Sequence, residues 1–266
     1  MKVSCIIVNY NLKYLPRLCI DALLASKCDF KFEIIVVDNA SEDESVEYLR
    51  KMHKEEKITL IEARSNLGYG KANNLGAKHA KGEYLLVLNP DISVEPDTLS
   101  RMVHFLDERP DIGLLGPKLY FFNGQIQDSC RRFMRPMDLV IKRTFLSKIG
   151  LFKKRVNRYL MTEFDHNNIQ DVDFVTGACF LTPQKVFDEV GGFDERYFLF
   201  MEDADLCKKM WNAGYKVVYF AEAKALHYHK RLSGGNIFKL LLQPIFWIHL
   251  KSMIKYFWKW KGQKHL

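Results

Sequence analysis

Short apolar runs alternate with polar turns and helical spacing over the first part of the chain, and this alternation constrains the fold most. The runs are rich in valine, isoleucine and leucine and cover Val3 to Val8, Ile34 to Val37, Ile58 to Ile61 and Tyr84 to Leu88. Strands that are apolar along their whole length are typical of parallel sheets whose two faces are covered by crossover helices. The sequence therefore predicts an α/β fold with a Rossmann-like, mostly parallel central sheet flanked by helices.

Local signals predict where several other elements begin. Pro16 suits the first turn of a helix that starts near Leu15, where its missing N–H costs nothing. Ser41 and Glu44 have capping-box spacing, so we expect each side chain to bond to the other residue's backbone N–H at the start of the second helix. Further elements are predicted later in the chain, namely a strand at Phe174 to Leu181, a helix at Glu202 to Asn212 and a strand at Lys216 to Phe220.

Positive charge is concentrated in one segment of this 266-residue chain, whose formal net charge is +8. Between Arg131 and Arg158 the only acidic residue is Asp138. The basic residues between these two arginines are Arg132, Arg135, Lys142, Arg143, Lys148, Lys153, Lys154 and Arg155. The segment has weak periodicity, which predicts short helices. Its charge favours an anionic partner, which can be a nucleic acid, a diphosphate substrate or an acidic lipid surface.

The cysteines and the apolar runs bear on where the protein works. The six cysteines form no C-x-x-C pair and fall mostly inside apolar runs, which indicates reduced core thiols of a cytosolic protein. No charged leader with a cleavage site precedes the first strand, so we expect no secretion. No run approaches the roughly 20 apolar residues that a membrane-spanning helix needs. We therefore expect a cytoplasmic protein.

Polar residues follow the predicted strands at the edge where open parallel sheets bind ligands. Asn9 and Asn11 follow the first strand, Asp38 follows the second, and Asn89 and Asp91 follow the fourth. A single aspartate after a strand is commonly only a turn or cap residue. Carboxylates gathered at one edge repel one another unless a ligand or a cation compensates them, so their convergence favours a binding site.

The segment Asn66 to Asn74 places two glycines at the start of a predicted helix, and such an N-terminus presents N–H groups to anions. It lacks the G-x-G-x-x-G pattern and follows the third strand, which argues against a dinucleotide-binding Rossmann enzyme. The sequence has no G-K-[ST] P-loop, which removes the common ATPase and kinase interpretations.

Asp91 is a candidate ligand for a hard cation. Mg²⁺ and Mn²⁺ prefer oxygen ligands and retain waters while they bridge phosphates, so one aspartate can suffice if a second residue helps. His227 is the candidate helper. The alternative is a surface histidine, or a core histidine with satisfied hydrogen bonds.

Three carboxylates, those of Glu202, Asp203 and Asp205, fall in the first turn of a predicted helix. The simpler interpretation is that these carboxylates interact favourably with the helix dipole. The functional interpretation is a general base whose proton affinity is raised by the preceding glycine- and aromatic-rich segment, Gly191 to Phe198. Such a base can take the proton from a sugar hydroxyl as that hydroxyl attacks.

These motifs together resemble the family 2 glycosyltransferases with an A-type glycosyltransferase fold, and most closely the rhamnosyltransferase-like branch. The matching stretches run from residue 1 to about residue 233 and are Val3 to Asn11, Val36 to Ser41, Asn66 to Asn74, Leu88 to Asp91, Gly177-Ala178, Gly191 to Asp194, Glu202 to Cys207, and His227. Asn89 stands where the family usually has an acid, a departure that agrees with the rhamnosyltransferase-like branch. The shared order and spacing of the stretches carry the resemblance.

The resemblance implies a role for each matching residue. Asp38 would recognise the pyrimidine of the donor, and Asp91 and His227 would hold Mn²⁺ or Mg²⁺ against its two phosphates. Asp203 would be the catalytic base, and Glu202 would orient or bind the acceptor. The remaining nucleotide contacts would be Asn9, Asn11, Ser41, Asn66, Gly70, Asn73 and Asn89. With one base and no second carboxylate placed as a nucleophile, a single displacement would invert the anomeric centre.

The implied protein is a metal-dependent, inverting glycosyltransferase of cell-surface polysaccharide synthesis. It would take a dTDP- or UDP-sugar, with rhamnose as one donor sugar, and a saccharide or lipid-linked saccharide acceptor. A close alternative is the same fold with glucose, galactofuranose or N-acetylglucosamine as the transferred sugar, because specificity depends on small pocket contacts. The alternative from another class is a basic nucleic-acid-binding α/β protein, but no zinc spacing, RNP motif or helix-turn-helix supports it. We therefore expect no nucleic acid partner, and a homodimer is left open.

We expect a catalytic domain at 1–233, with a nucleotide-binding half at 1–116 and an acceptor half at 117–233, followed by an amphipathic helical tail at 234–266. The tail has a helix pair from Ile237 to Lys261 that mixes tryptophans and lysines around Pro244. This composition suits a helix lying in a membrane interface, with tryptophans at headgroup depth and lysines toward anionic lipid. The alternative is a helix that covers the core or a partner subunit. The first interpretation predicts peripheral attachment to the inner face of the cell membrane.

Overall fold

The computed structural model describes residues 1–142, 149–228 and 242–262. Arg143 and Lys148 of the basic segment lie outside these ranges, as do positions 234–241 and 263–266 of the predicted tail. The described residues form a mixed α/β fold in which helices flank a central sheet, and this confirms the predicted fold class.

The first strands follow the apolar runs of the sequence, and β1 and β4 are buried along their whole length. The strand bounds are β1 Val3–Asn9, β2 Phe32–Asp38, β3 Thr59–Glu62, β4 Tyr84–Leu88, β5 Ile92–Val94, β6 Ile112–Tyr120, β7 Cys130–Arg131, β8 Gln170–Asp171, β9 Phe174–Val175, β10 Cys179–Pro183 and β11 Lys216–His227.

Within the described residues, nine strands form one sheet in the order β3-β2-β1-β4-β10-β6-β11-β5, with β8 paired to β11. β1 runs parallel to β2 and β4, and β2 runs parallel to β3. β10 is antiparallel to both of its neighbours, so the predicted parallel pattern holds for β1 to β4 and changes at β10. The predicted strand at Phe174 to Leu181 is in fact two strands, β9 and β10, and β9 pairs with β7 outside the main sheet.

The helices lie between these strands, and α1 begins at Leu15 with Pro16 in its first turn, as predicted. The helix bounds are α1 Leu15–Leu24, α2 Ser45–Lys54, α3 Tyr69–Ala77, α4 Thr98–Asp107, α5 Pro136–Lys142, α6 Gly150–Leu160, α7 Gln184–Glu189, α8 Glu202–Asn212 and α9 Pro244–Lys259. None of the helices in the described part of the chain is long and apolar enough to cross a membrane. The six cysteines are free, as the sequence predicts.

Apolar layers cover both faces of the sheet. Cys5 and Ile7 of β1 pack into one cluster with Leu23 of α1, whereas Ile6 packs into another with Phe193. Successive side chains of a strand point to opposite faces, so both faces of β1 are buried. The polar groups of the central strands are therefore left at the strand ends.

The predicted capping box at the start of α2 is wrong. Glu44 is the N-cap of α2, and no side chain makes a capping hydrogen bond there. The Ser41 hydroxyl instead accepts hydrogen bonds from Asn9 Nδ2 at 3.1 Å and from the Asn11 N–H at 3.0 Å. Ser41 therefore stabilises the end of β1 and does not cap the start of α2.

One face of α9 packs against α8. Lys259 Nζ donates to Asp205 Oδ2 at 2.7 Å and to Asp194 Oδ2 at 2.8 Å, and Trp260 Nε1 donates to Asp205 Oδ1 at 2.8 Å. Asp205 is fully buried, and Tyr256 is 2% exposed. This face of α9 therefore covers the core and anchors the helix that carries Glu202 and Asp203.

Candidate active site

A buried polar cluster lies at the carboxyl ends of β1 and β2. Asn9 stands opposite Asp38 in the strand register, and the two side chains are almost completely buried. Asn9 Nδ2 donates to Asp38 Oδ1 at 2.9 Å, and the Ser41 N–H donates to Asp38 Oδ2 at 3.0 Å. Asn11 has φ +52° and its side-chain oxygen accepts the Glu42 N–H at 2.8 Å. These bonds hold the Asp38 carboxylate at the sheet edge.

Three of the predicted site residues bury polar atoms that have no hydrogen-bond partner among the described residues. These atoms are Asn9 Oδ1, Asn73 Oδ1 and Glu202 Oε2. A buried polar atom left unsatisfied costs about 1–3 kcal/mol, and native proteins retain few of them. A polar ligand that bonds to these atoms would offset this cost, so their presence suits a binding site.

Asn39 ties the segment around Asn66 to the end of β2. It lies in the matching stretch Val36 to Ser41, but the sequence predicted no role for it. Asn39 Nδ2 donates to Asn66 Oδ1 at 2.9 Å, and the Leu67 N–H donates to Asn39 Oδ1 at 2.8 Å. The Gly68 N–H also donates to Asn66 Oδ1, at 2.9 Å. The available signal was its position directly after Asp38 at a strand end. These bonds place the glycine-rich segment beside Asp38.

Gly68 lets the glycine-rich segment touch the loop that precedes α8. Its φ is +82°, and a Cβ at this position would stand 2.2 Å from the Phe198 carbonyl oxygen. That same oxygen accepts the Tyr69 N–H at 2.9 Å. No side chain fits between the two backbones, so only glycine allows this contact.

We expect Gly68→Ala to lower the free energy of unfolding by about 3 kcal/mol, because the new methyl group meets backbone at a positive φ. Gly124→Ala is the matched control, since Gly124 has φ +79° and an added methyl group would meet no described atom within 4 Å. Gly124→Ala should lower the free energy of unfolding only by the cost of a positive φ, about 1 kcal/mol. Urea denaturation of both variants measures the difference. Equal losses would contradict the close approach of Gly68 to Phe198.

Gly70 and Asn73 lie on α3, where their surroundings show a packing role. A Cβ on Gly70 would stand 3.0 Å from the Phe193 Cβ. Asn73 is fully buried, and its Nδ2 donates to the Tyr69 carbonyl oxygen at 3.0 Å. The Tyr69 hydroxyl donates to the Gly177 carbonyl oxygen and so connects α3 to the segment between β9 and β10.

Asp91 and His227 are neighbours because β5 pairs with the end of β11. His227 stands opposite Ile92 in the register, and the Tyr228 N–H donates to the Asp91 carbonyl oxygen at 3.0 Å. His227 Nε2 lies 3.4 Å from Asp91 Oδ1, and both side chains are largely buried. His227 Nδ1 lies 2.9 Å from Gln127 Oε1.

The donor set at Asp91 suits a divalent cation. An Nδ1–H bonded to the Gln127 oxygen fixes the histidine tautomer and places the lone pair on Nε2, the arrangement found in metal-bound histidines. Within residues 1–142, 149–228 and 242–262, no group of three or more His, Cys, Asp or Glu residues is close enough to hold a metal. Water and phosphate oxygens, which such cations commonly retain as ligands, can complete the coordination. Asn89 is half-buried nearby, and its N–H donates to the Ala178 carbonyl oxygen at 2.8 Å.

Asp203 is held at the start of α8 by two backbone groups. Its Oδ2 accepts the Gly177 N–H at 3.1 Å, and its Oδ1 accepts the Ala204 N–H at 2.8 Å. Burial raises the pKa of Asp203, although these hydrogen bonds oppose the shift. Burial, followed by the negative charge of Asp203, raises the pKa of Glu202 well above its usual range. The two neighbouring carboxyl groups thus have different environments and raised proton affinity.

The strand order relates these three groups of residues to one another. Cys179 pairs with Leu88, so Gly177 stands beside the residues that directly follow β4. Asp38 ends β2, which lies three strand spacings from β10 in the order β2-β1-β4-β10. Three spacings correspond to about 15 Å. The structure therefore brings Asp38, Asp91 with His227, and Asp203 to one edge of the sheet.

Comparison with known proteins adds a family and a fold. Residues 4–191 match the family described as Glycosyl transferase family 2. The chain is 29% identical over 217 residues to N-acetylglucosaminyl-diphospho-decaprenol L-rhamnosyltransferase of Mycobacterium tuberculosis, a match that covers 76% of this chain and 68% of that protein. It is 26% identical over 202 residues to rhamnosyltransferase WbbL of Escherichia coli, covering 71% of this chain and 69% of that protein.

Solved structures share the fold at low sequence identity. A structure of GalNAc-T7 with UDP, GalNAc and Mn²⁺ superimposes with a TM-score of 0.70 at 13% identity, covering 99% of this chain and 48% of that one. The mannosyltransferase PcManGT from Pyrobaculum calidifontis, in complex with GDP-Man and Mn²⁺, gives a TM-score of 0.61 at 17% identity, covering 100% of this chain and 76% of that one. The chain thus spans about half the length of the first of these two structures.

Proposed function

The chain belongs to glycosyl transferase family 2, and from this premise we propose that it moves a sugar from a dTDP- or UDP-sugar to a saccharide carried on a polyprenyl diphosphate. The proposed reaction inverts the anomeric centre, and the proposed donor sugar is rhamnose. The two relatives named as rhamnosyltransferases support this donor, and the diphospho-decaprenol in the name of one of them supports this acceptor. The alternative donors are glucose, galactofuranose and N-acetylglucosamine.

The observation that carries the proposal is the single sheet edge shared by Asp38, Asp203 and the pair of Asp91 and His227. At one end, Asp38 is the acceptor for a pyrimidine N–H, and the bonds from Asn9 and Ser41 fix its orientation. Contacts to the base, ribose or diphosphate are assigned to Asn9, Asn11, Ser41, Asn66, Gly70, Asn73 and Asn89.

Asp91, which follows β4, and His227, which ends β11, would hold Mn²⁺ or Mg²⁺, with Gln127 orienting the histidine ring. When bound, the cation supplies charge that stabilises the leaving nucleoside diphosphate. Solved structures with the same fold contain Mn²⁺, which supports the use of a divalent cation.

Beside Gly177, Asp203 takes the proton from the acceptor hydroxyl as that oxygen attacks the anomeric carbon. The Gly177 and Ala204 N–H groups hold its carboxylate in place, and its raised pKa strengthens it as a base. Glu202 lies beside it with a buried oxygen that can bond to the acceptor sugar. No second carboxylate is assigned as a nucleophile, so we expect one displacement and inversion.

A transfer assay tests this function. The full chain is incubated with Mn²⁺, a panel of dTDP- and UDP-sugars and N-acetylglucosamine on a short polyprenyl diphosphate. We expect one donor to give a disaccharide product whose new linkage has the opposite anomeric configuration to the donor, as read by NMR. A product with retained configuration would overturn the single displacement, and transfer from no donor would overturn the proposed reaction.

The outward face of α9 leads us to propose that the protein attaches to the cytoplasmic surface of a membrane. Ile254 is 59% exposed and Trp258 is 78% exposed, on a helix that also carries Lys251 and Lys255 at the surface. A helix of this kind lies in the interface with its tryptophan at headgroup depth.

We expect Ile254→Ser/Trp258→Ser to weaken co-sedimentation with anionic vesicles by about tenfold, since two large apolar side chains lose their burial in the interface. Point variants are preferred to a deletion, because a deletion would also remove the Lys259 and Trp260 bonds to Asp205. Leu18→Ser is a control at another exposed apolar residue, 59% exposed on α1. Unchanged co-sedimentation of the α9 variant would contradict membrane attachment through this face.

A further inference from the structure

Two cavities in the described part of the chain lie beside the basic segment rather than at the sheet edge that carries Asp38 and Asp91. One has a volume of about 660 Å³ and the other about 550 Å³. Both are lined by Arg132, Lys154 and Arg158. The smaller one, here called the basic cavity, is also lined by Arg135 and Arg155.

The basic cavity has more positive charge than its own carboxylates can neutralise. Its two acids are already paired, since Asp138 bonds to Arg155 and Asp173 Oδ1 lies 3.0 Å from Arg132 Nη1. The charged side-chain groups of Arg135, Lys154 and Arg158 form no ion pair with a carboxylate in the parts of the chain that the structure describes, and the only bond from Arg135 to Asp138 is from its backbone N–H. Three cations converging on one cavity favour an anion with several oxygens, because guanidinium and ammonium groups form their strongest hydrogen bonds to such oxygens.

The face of α6 that lines the basic cavity continues into an exposed apolar side chain. Leu151, Lys154, Arg155 and Arg158 have the spacing i, i+3, i+4, i+7, which places them on one face of a helix. Leu151 is 83% exposed and Ile149, just before α6, is 47% exposed, and Met137 of α5, a helix in contact with α6, is 53% exposed. An anion bound by the cations would therefore have apolar surface next to it.

The basic cavity is connected to the base by two short strands. Arg132 directly follows β7, whose Arg131 pairs with Phe174 of β9. Three residues after Phe174 stands Gly177, whose N–H donates to Asp203 Oδ2 at 3.1 Å. The β7–β9 pair therefore connects the edge of the basic cavity at Arg132 to the segment whose Gly177 holds the Asp203 carboxylate.

We propose that the basic cavity binds the diphosphate of a polyprenyl-diphosphate-linked acceptor, with Arg135, Lys154 and Arg158 contacting its oxygens and the isoprenoid leaving past Leu151. This inference rests on the proposed function and adds to it an acceptor site separate from the site of the donor diphosphate. It also assigns a role to the basic segment that the donor site does not use.

Direct binding tests this site without requiring turnover. Farnesyl diphosphate is titrated into the full chain by calorimetry in the absence of divalent cations, with farnesol as the phosphate-free probe. We expect Lys154→Gln/Arg158→Gln to weaken farnesyl diphosphate binding by about tenfold or more, the effect of losing a charge-assisted hydrogen bond. Lys153→Gln/Lys185→Gln removes the same charge from exposed positions outside the cavity and should change binding less than about twofold.

Kinetics with two acceptors separate loss of a diphosphate site from a general loss of catalysis. The cavity variant should have a raised KM for N-acetylglucosamine on a short polyprenyl diphosphate and an unchanged KM for an alkyl N-acetylglucosaminide, which has no phosphate. Equal loss of farnesyl diphosphate binding in both double variants, or equal KM changes for both acceptors, would overturn the proposal.

The same experiments distinguish failure of this site from failure of the proposed function. Farnesyl diphosphate binding that depends on Lys154 and Arg158, in a chain that transfers no sugar, would overturn the proposed reaction and support an anion site. Sugar transfer by a chain that binds no farnesyl diphosphate would overturn the site and leave the reaction standing.

Discussion

Replacing Asp203 by asparagine should lower kcat by about 10³-fold and leave the affinity for the nucleotide sugar within about twofold. Loss of a general base typically costs 10²–10⁴-fold in rate. Asparagine keeps the size of the side chain and one oxygen that can accept the Gly177 N–H, and it loses only the bond from the Ala204 N–H in the first turn of α8, so the fold and the donor site should be preserved. Steady-state kinetics and calorimetric titration of the nucleotide sugar measure the two quantities separately.

The pH dependence of turnover gives a second readout for Asp203. Burial raises its pKa, so the Asp203 carboxyl group stays protonated to a higher pH than that of an ordinary aspartate. Because only the deprotonated form accepts a proton, kcat should fall as pH decreases through this raised pKa, and the acid limb should lie above the usual aspartate range. Asp188→Asn, at an exposed position on α7, is the control and should leave both the rate and the acid limb unchanged. Near-wild-type turnover in Asp203→Asn would refute the base assignment.

Asp91→Ala should lower the affinity for a nucleoside diphosphate in the presence of Mn²⁺ by about 100-fold, which removes most of the gain in affinity that Mn²⁺ provides. Removing even a residue that only orients a ligand typically costs 10–100-fold in metal affinity, so loss of the ligand itself should cost at least the upper end of this range. The Asp91 contact with Tyr228 uses its backbone oxygen, so the fold around it should persist. Calorimetric titration of UDP and dTDP with and without Mn²⁺ measures the effect.

Gln127→Leu tests the same cation site as Asp91→Ala and has a smaller expected effect. It removes the oxygen that contacts His227 Nδ1 at 2.9 Å but keeps both proposed ligands. We expect a loss of about tenfold in the Mn²⁺-dependent affinity, smaller than that of Asp91→Ala. Asp97→Asn, an exposed partner of Arg101 on α4, is the control. Full Mn²⁺ dependence in Asp91→Ala would contradict a cation site at this position.

The elements that the sequence predicted best were those with continuous apolar runs or strong end signals. β1 and β4 are buried on both faces, so their composition alone reveals them. α8 has acids in its first turn and ends before Gly214, which has φ +87°. Each of these signals lies within the element itself, so no knowledge of distant contacts was needed.

β6 was not predicted because its sequence contains glycines and a proline that are unusual inside a strand. The structure supplies the reason for them. A Cβ at Gly113 would stand 2.7 Å from the Tyr215 Cβ, and one at Gly116 would stand 2.9 Å from the Val175 Cβ. Pro117 lies beyond the point where β10 pairs with β6. The glycines of β6 are required because residues distant in the chain pack closely against them. A single sequence does not reveal these contacts.

The candidate site shows the same difference between residues marked by local sequence signals and residues whose roles depend on distant contacts. Asp38 and Asp91 could be selected because strand ends mark a binding edge in advance. The role of Asn39 depends on its bonds to Asn66 and Leu67, and the role of Gln127 depends on His227, a hundred residues away. Ser41 was identified as a site residue, but its local spacing wrongly suggested a helix cap because the competing contact from Asn9 comes from another strand.

Anomalous diffraction from crystals grown with Mn²⁺ and a pyrimidine nucleoside diphosphate tests the central claim most directly, namely that Asp38, Asp91, His227 and Asp203 form one donor and acceptor cleft. We expect a manganese peak about 2 Å from Asp91 and His227, with the pyrimidine at Asp38 and the diphosphate directed toward Asp203. A manganese peak away from Asp91 and His227, or a nucleotide bound in the basic cavity instead, would contradict it.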